Sequence, residues 1–189
     1  MAHFIVVYDS CVLYPAPLRD LLMRLALTDI FHAKWTNHIH EEWMRSLLKK
    51  RPDLTKERLQ KIREKMDLHV RDGLIEGYEE LIESIHLPDL DDRHVLAAAI
   101  RANAQTIVTF NLSDFPTQET TKYEIDVQHP DEFLRHLIDL TPAKVIETVK
   151  ETRLSLKNPP KTAVEYLSIL EQQSLPRTVA YLKEYEKMI

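Results

Sequence analysis

The sequence predicts an α/β fold in which a central parallel sheet lies between two helical layers, followed by an all-helical C-terminal extension. Two patterns carry this expectation. Short apolar runs at residues 4–8 and 106–110 and a short strand-like segment at 31–35 alternate with longer segments of helical period. Such alternation marks strands whose crossover helices bury both faces of the sheet. After Leu140 the chain offers three more helical stretches and no strand. The expected division is 1–138 for the α/β domain and 139–189 for the extension.

Residues 4–8 (Phe-Ile-Val-Val-Tyr) form a continuous apolar run that ends at Asp9, as a buried parallel strand does. Pro15 and Pro17 introduce a helix over 18–28, with Leu18, Leu21, Leu22, Leu25 and Ala26 on one face. A short strand at 31–35 leads to Thr36, the N-cap of a helix that runs to residue 50 and is halted by Pro52. Thr55 caps a helix over 54–69, and 78–85 reads as a short one. Pro88 and Asp89 start a helix through residue 103, whose Ala97, Ala98 and Ala99 suit close approach to the sheet or simply favour helix. Strands follow at 106–110 and 125–127, and Pro130 opens a helix to 138. The extension's helices span 142–156, 162–172 and 176–188, separated by Asn158-Pro159-Pro160 and Leu175-Pro176. Its charges nearly balance and it carries no chemistry of its own, so packing or protein contact is its expected role.

At 189 residues the chain can bury a substantial core, and 44% hydrophobic with 29% charged residues fits a soluble globular protein. No run approaches the roughly 18 apolar residues of a membrane span. The first strand ends in Asp9 before any signal-peptide cleavage site. Cys11 is the single cysteine, which permits no internal disulfide and fits a reducing compartment. The expected location is the cytoplasm, away from any membrane. A net charge of −5 argues against a broadly basic nucleic-acid surface, although a carboxylate cluster that holds cations would itself bias the count. Gly73 and Gly77 are the only glycines, so a glycine-rich phosphate loop or dinucleotide fingerprint is excluded.

Acidic residues gather at four stations: Asp9 after the first strand, Glu41-Glu42 on the helix after Thr36, Asp89, Asp91 and Asp92 before the alanine-rich helix, and Asn111 with Asp114 after residue 110. Residues at the carboxyl ends of parallel strands converge on the crevice where open α/β sheets bind ligands. Carboxylates crowded there repel one another unless a hard divalent cation sits among them. Each station also has a plainer reading. Asp9 and the Asn-Leu-Ser-Asp segment are good turn formers. Asp89, Asp91 and Asp92 fall where carboxylates cap a first helical turn. Counting Ile39, Trp43 and Leu47 as the buried stripe favours Glu42, whereas adding Met44 and Leu48 favours Glu41, so periodicity leaves both open. The coincidence of four stations on one face carries the metal reading. Decoys fail on spacing. Met44 stands where a zinc-protease helix opening at His40-Glu41 needs its second histidine. Arg19 follows Cys11 by eight positions, not the six of a Cys-phosphatase loop, and the nine histidines show no ligand spacing.

As an ordered set these residues resemble the PIN-domain ribonucleases, and within them the virulence-associated protein C toxins. The resemblance covers residues 4–138. The family's opening Asp-Thr/Ser-Asn-Val-Leu is matched by Asp9-Ser10-Cys11-Val12-Leu13, with Cys11 in place of the usual Asn, a change expected to weaken hydrogen bonding around Asp9. The family's helix glutamate, six positions after a Ser/Thr, falls on Glu42 counting from Thr36. Its third acid falls on Asp92, beside Asp91, and its fourth on Asn111, with Asp114 as the charged replacement three residues on. The resemblance implies a PIN-like three-layer α/β/α fold and hydrolysis of RNA phosphodiester bonds with Mg²⁺ or Mn²⁺. It also implies a homodimer restrained by a cognate antitoxin. The implied catalytic set is Asp9, Glu42, Asp92 and Asp114, with Asp91 and Asn111 as further metal donors. Arg19, Lys34, Arg45 and Arg93 are candidates for phosphate contacts, each weighed against solvated surface charge. The expected function is a metal-dependent endoribonuclease, the toxin of a toxin–antitoxin pair. The alternatives are a catalytically silent PIN-fold module that binds RNA or protein and, disfavoured by the missing glycines, a small-molecule phosphatase.

Overall fold

The computed structural model describes residues 4–189. Four parallel strands, β1 (Ile5–Tyr8), β2 (His32–Lys34), β3 (Thr106–Val108) and β4 (Asp126–Gln128), form one sheet in the order β2-β1-β3-β4. In register, Val6 lies beside Ala33 on one side and Thr106 on the other. The central strands carry the continuous apolar runs, and Val6, Val7, Tyr8, Ile107 and Val108 are fully buried because helices cover both faces.

The chain passes from β1 to β2 at one edge and later returns to β3 on the opposite side of β1. Strand order therefore reverses between β1 and β3, and the crevice beyond the carboxyl ends of strands at such a point is where these sheets take ligands. Asp9 and Thr109 are the first residues past those two ends.

Helices α1 (Ser10–Leu13) and α2 (Ala16–Ala26) join β1 to β2. The β2–β3 crossover holds α3 (Asn37–Lys50), α4 (Lys56–His69), a 3₁₀ turn (Glu79–Ser84) and α5 (Arg93–Arg101). The expected caps are in place: Thr36 Oγ1 accepts the Ile39 N–H at 3.1 Å and Thr55 Oγ1 that of Arg58 at 3.2 Å. A short 3₁₀ turn (Leu112–Asp114) and α6 (Thr117–Thr120) lead to β4, after which come α7 (Pro130–Leu140), α8 (Pro142–Ser155), α9 (Ala163–Glu171) and α10 (Pro176–Glu184).

Several boundaries differ from expectation. The helix placed at 18–28 begins at Ala16, and α1 precedes it because the Asp9 side chain caps Ser10. The strands expected at 31–35 and 106–110 supply three paired residues each. The largest difference lies at 89–103, where α5 begins only at Arg93. Asp89 Oδ1 accepts the Asp91 N–H at 2.9 Å, a local turn that competes with the helix and keeps 89–92 outside it. Asp89 and Asp91 are thus turn residues rather than first-turn caps, and Asp92, at the helix head, makes no capping bond.

Helix α8 packs on α2 and α7, and α10 on α7 and α9. Val149, Leu170, Val179 and Leu182 are fully buried in the same core as the sheet. Asp131, buried at the start of α7, accepts the N–H groups of Arg177 at 2.9 Å and Thr178 at 2.8 Å, so α7 caps α10 from outside it. Among the described residues no helix is long and apolar enough to cross a membrane.

Candidate active site

Asp9 places a buried carboxylate at the end of β1. It is 3% exposed; Oδ1 accepts the Ser10 N–H that opens α1, while Oδ2 accepts the Thr109 hydroxyl at 2.6 Å. Thr109 in turn accepts the Asn111 N–H at 3.0 Å, so the residues after β3 hold the carboxylate that ends β1. Cys11 Sγ lies 3.2 Å from Asp9 Oδ2 and accepts the Phe110 N–H at 3.3 Å. Burial, then the Asp9 charge, pushes the thiol up to about 12, so it stays protonated and donates to the carboxylate. The hydrogen bond at this position is kept, with sulfur as the weaker donor.

Glu42 and Glu41 separate cleanly. Glu41 is exposed, whereas Glu42 is half-buried and Oε1 meets His94 Nε2 at 3.2 Å. Burial acts to raise the Glu42 carboxyl, but hydrogen bonds from His94 and Ser10 and the charges of His94 and His38 hold it below the usual glutamate value. Burial and the facing His94 push His38 below the ordinary histidine value.

Asp92 reports on all the stations at once. Its carboxyl is pushed up to about 7, first by burial and then by the charges of Asp9, Asp89, Asp114 and Glu42. Groups from β1, α3, the turn before α5 and the 3₁₀ turn after β3 therefore act on one carboxylate. Asp114 supplies charge here, while Asn111 is exposed and contributes its backbone N–H to Thr109. Asp91 is exposed and lines a cleft of about 290 Å³ with His38, Glu42, Arg45 and His94. Asp89, which sequence reasoning left to capping, is one of the charges on Asp92.

The cation candidates divide. Arg19 is a correction to the expected surface cation: it is buried, its guanidinium donates to the Leu13 carbonyl at 2.7 Å and lies 4.9 Å from the Trp43 ring centre, so it serves the core. Lys34 donates to the Asp72 carbonyl at 2.6 Å and lines a hollow with Ile5, His32 and His69, which none of the four acidic stations lines. Arg93 is tied to the Leu90 carbonyl at 3.2 Å and lies 3.7 Å from Glu83. Arg45 is exposed beside Glu42 and Asp91 and is the free cation of the cleft among the described residues.

His40, the head of the abandoned zinc-protease motif, is a core residue bonded to Asp67 at 3.0 Å and to Trp43 at 3.0 Å. The residues that sequence reasoning missed are Thr109, His38 and His94. Nothing in linear spacing marks the two histidines, which lie 56 positions apart and meet only because α3 and α5 flank the same crevice.

A PIN domain family model matches residues 5–113, more than half of the chain. The chain belongs to the PIN-domain family. That match holds Asp9, Glu42 and Asp92 and stops one residue before Asp114. A second family model, the VapC50 C-terminal domain, matches residues 130–184, from the first residue of α7 to the last of α10. The PIN-domain chain is also similar to "Putative ribonuclease VapC50" of Mycobacterium tuberculosis (strain ATCC 25618 / H37Rv), at 37% identity over 97 residues. That stretch is 51% of this chain and 57% of the relative, so the chain spans little more than half of the relative's length. No solved structure matches the chain.

Proposed function

We propose that this PIN-domain chain is a Mg²⁺- or Mn²⁺-dependent endoribonuclease that hydrolyses RNA phosphodiester bonds. In this reading it is the toxin of a toxin–antitoxin pair, a cytoplasmic homodimer restrained by a cognate antitoxin. The observation that carries the chemistry is the Asp92 carboxyl, raised to about 7 by burial and four neighbouring carboxylates. An all-oxygen, like-charged donor set fits a hard divalent cation, which relieves the repulsion and prefers carboxylate and water ligands. The VapC-type similarity supports RNA as the substrate and a protein antitoxin as the partner.

Asp9, Asp92 and Asp114 are the proposed metal donors, with Glu42 as donor or base, Asp91 at the margin and Asn111 within reach. A bound cation would acidify a water for attack on phosphorus and offset charge on the transition state. The chain's own contribution is orientation. Thr109 and Cys11 fix the Asp9 carboxylate, and His94 fixes Glu42 in its ionised state. Arg45 is the proposed phosphate contact. Residues 1–138 are the proposed nuclease unit and 139–189 its packing extension.

Purified wild type and Asp9→Asn should be incubated with structured RNA and Mn²⁺. Cleavage by wild type alone is expected. Equal cleavage by both, or none by either, removes the enzymatic reading and leaves a silent RNA- or protein-binding module. Growth arrest on expression, relieved by a small adjacent gene, tests the toxin role.

A further inference from the structure

Beside the carboxylate crevice stands a donor set of a different kind. His94 Nε2 lies 3.2 Å and His38 Nε2 3.9 Å from the same oxygen, Glu42 Oε1. Ligand atoms of the three residues all fall within 4.8 Å of one another. The imidazoles stack with centroids 3.8 Å apart and planes 23° from parallel, and both Nε2 atoms lie within 3.9 Å of Glu42 Oε1. Because a ligating lone pair lies in the ring plane, the exposed His38 ring has to turn off the stack to share an ion with His94. Local structure explains the arrangement: His38 and Glu42 are one turn apart on α3, and His94 is the second residue of α5.

The plainer reading is that His94 merely holds Glu42 by a hydrogen bond. Two observations go beyond it. His94 is 2% exposed and Nδ1, on the far side of the ring from Glu42, is buried without a hydrogen-bond partner, so no second bond fixes the tautomer and Nε2 can present a lone pair. His38 is exposed and free to extend into solvent, but it stacks on His94 and faces the same oxygen. A tetrahedral ion with bonds of about 2.0–2.1 Å spaces its ligands roughly 3.3–3.4 Å apart. The two separations from Glu42 Oε1 bracket that value, and turning the exposed His38 ring off the stack closes the difference. The adjoining cleft, lined also by Arg45 and Asp91, leaves a fourth position open to water.

We propose that His38, Glu42 and His94 bind a first-row transition ion of the Zn²⁺ class through two imidazole nitrogens and one carboxylate oxygen. Imidazole donors favour such an ion over Mg²⁺, which prefers oxygen alone. The site shares Glu42 with the proposed nuclease centre, so an ion held here withdraws that carboxylate and inhibits cleavage. The inhibition rests on the proposed function; the binding does not.

The test titrates the full-length, chelator-stripped chain with Zn²⁺ by calorimetry and with Co²⁺ by visible absorption, in excess Mg²⁺ that occupies the oxygen donors. One ion per chain with tetrahedral Co²⁺ bands is expected. Affinity should fall by more than about 100-fold in His38→Ala and in His94→Gln, since even an outer-shell partner is worth 10–100-fold, and stay near wild type in Asp114→Asn. His38 is exposed, so its variant folds even if the buried His94 variant does not. Equal Zn²⁺ binding by wild type and His38→Ala, no binding at all, or binding lost in Asp114→Asn but kept in His38→Ala overturns the proposal. Zn²⁺ binding without any RNA cleavage would remove the ribonuclease reading and leave this site standing.

Discussion

Replacing Asp92 by Asn will stabilise the metal-free chain at neutral and higher pH, although it removes a proposed metal donor. The Asp92 carboxyl is pushed from 3.8 to about 7, and no capping hydrogen bond at the head of α5 depends on it. Because its folded-state value lies above the unfolded one, the native state holds the extra proton between those limits. The stability due to this group is therefore full in acid, declines as pH rises through about 4–7, and is gone above that window. A shift of this size corresponds to at most ~4 kcal/mol. Asp92 is only partly buried, and solvent screening brings the figure to about 1–2 kcal/mol. Urea unfolding in excess EDTA at pH 5 and pH 8 is the assay. Relative to the variant, wild type should lose about 1–2 kcal/mol between the two conditions, and Mn²⁺ should restore wild type more than the variant. A variant less stable than wild type by the same margin at both pH values would refute the reasoning, because the carboxylate would then be held by favourable contacts.

Other perturbations separate orientation from chemistry and core from surface. Thr109→Val removes the 2.6 Å bond to buried Asp9 and the acceptor of the Asn111 N–H; Mn²⁺-dependent cleavage or metal affinity should drop roughly 10–100-fold, with a cost of about 1–3 kcal/mol in urea unfolding. Arg19→Ala should cost about 2–4 kcal/mol in urea unfolding, from a buried charged hydrogen bond and a ring contact, and leave the salt dependence of RNA binding untouched. Arg45→Ala should do the opposite, lowering the slope of log affinity against log salt by about 1. Asp131→Ala leaves two amides of α10 without partners and should cost about 2–4 kcal/mol, while Asp131→Asn, which keeps one acceptor, should cost about half, both measured by urea unfolding.

How far the sequence foretold the molecule depends on how local each determinant is. The strands were legible because Val6, Val7, Ile107 and Val108 form uninterrupted apolar runs, and the starts of α3 and α4 because Thr36 and Thr55 sit at their caps. Asp9 was legible for the same reason, as the first polar residue after such a run. The start of α5 was not, since the Asp89 side chain competes for backbone N–H groups that the alanine-rich pattern assigns to helix. Glu42 could not be told from Glu41 because Ile39, Trp43, Met44 and Leu47 are all buried, a stripe wide enough to flank either. What sets Glu42 apart in the structure is its bond to His94, 52 residues away. Arg19 misled for a related reason: a cation on an amphipathic helix reads as surface until the Leu13 carbonyl and Trp43 beneath it are known.

Asp131 makes residue 139 a poor place to cut the chain. A fragment ending there would keep a buried carboxylate stripped of both amide donors and would bare the faces of α2 and α7 that α8 and α10 cover. Loss of the proposed toxicity in cells expressing it would then measure degradation of a misfolded chain, with the proposed nuclease chemistry untested. Any exchange of this tail between related chains has to begin at Pro130, so that the residue that fastens α10 travels with the helix it fastens.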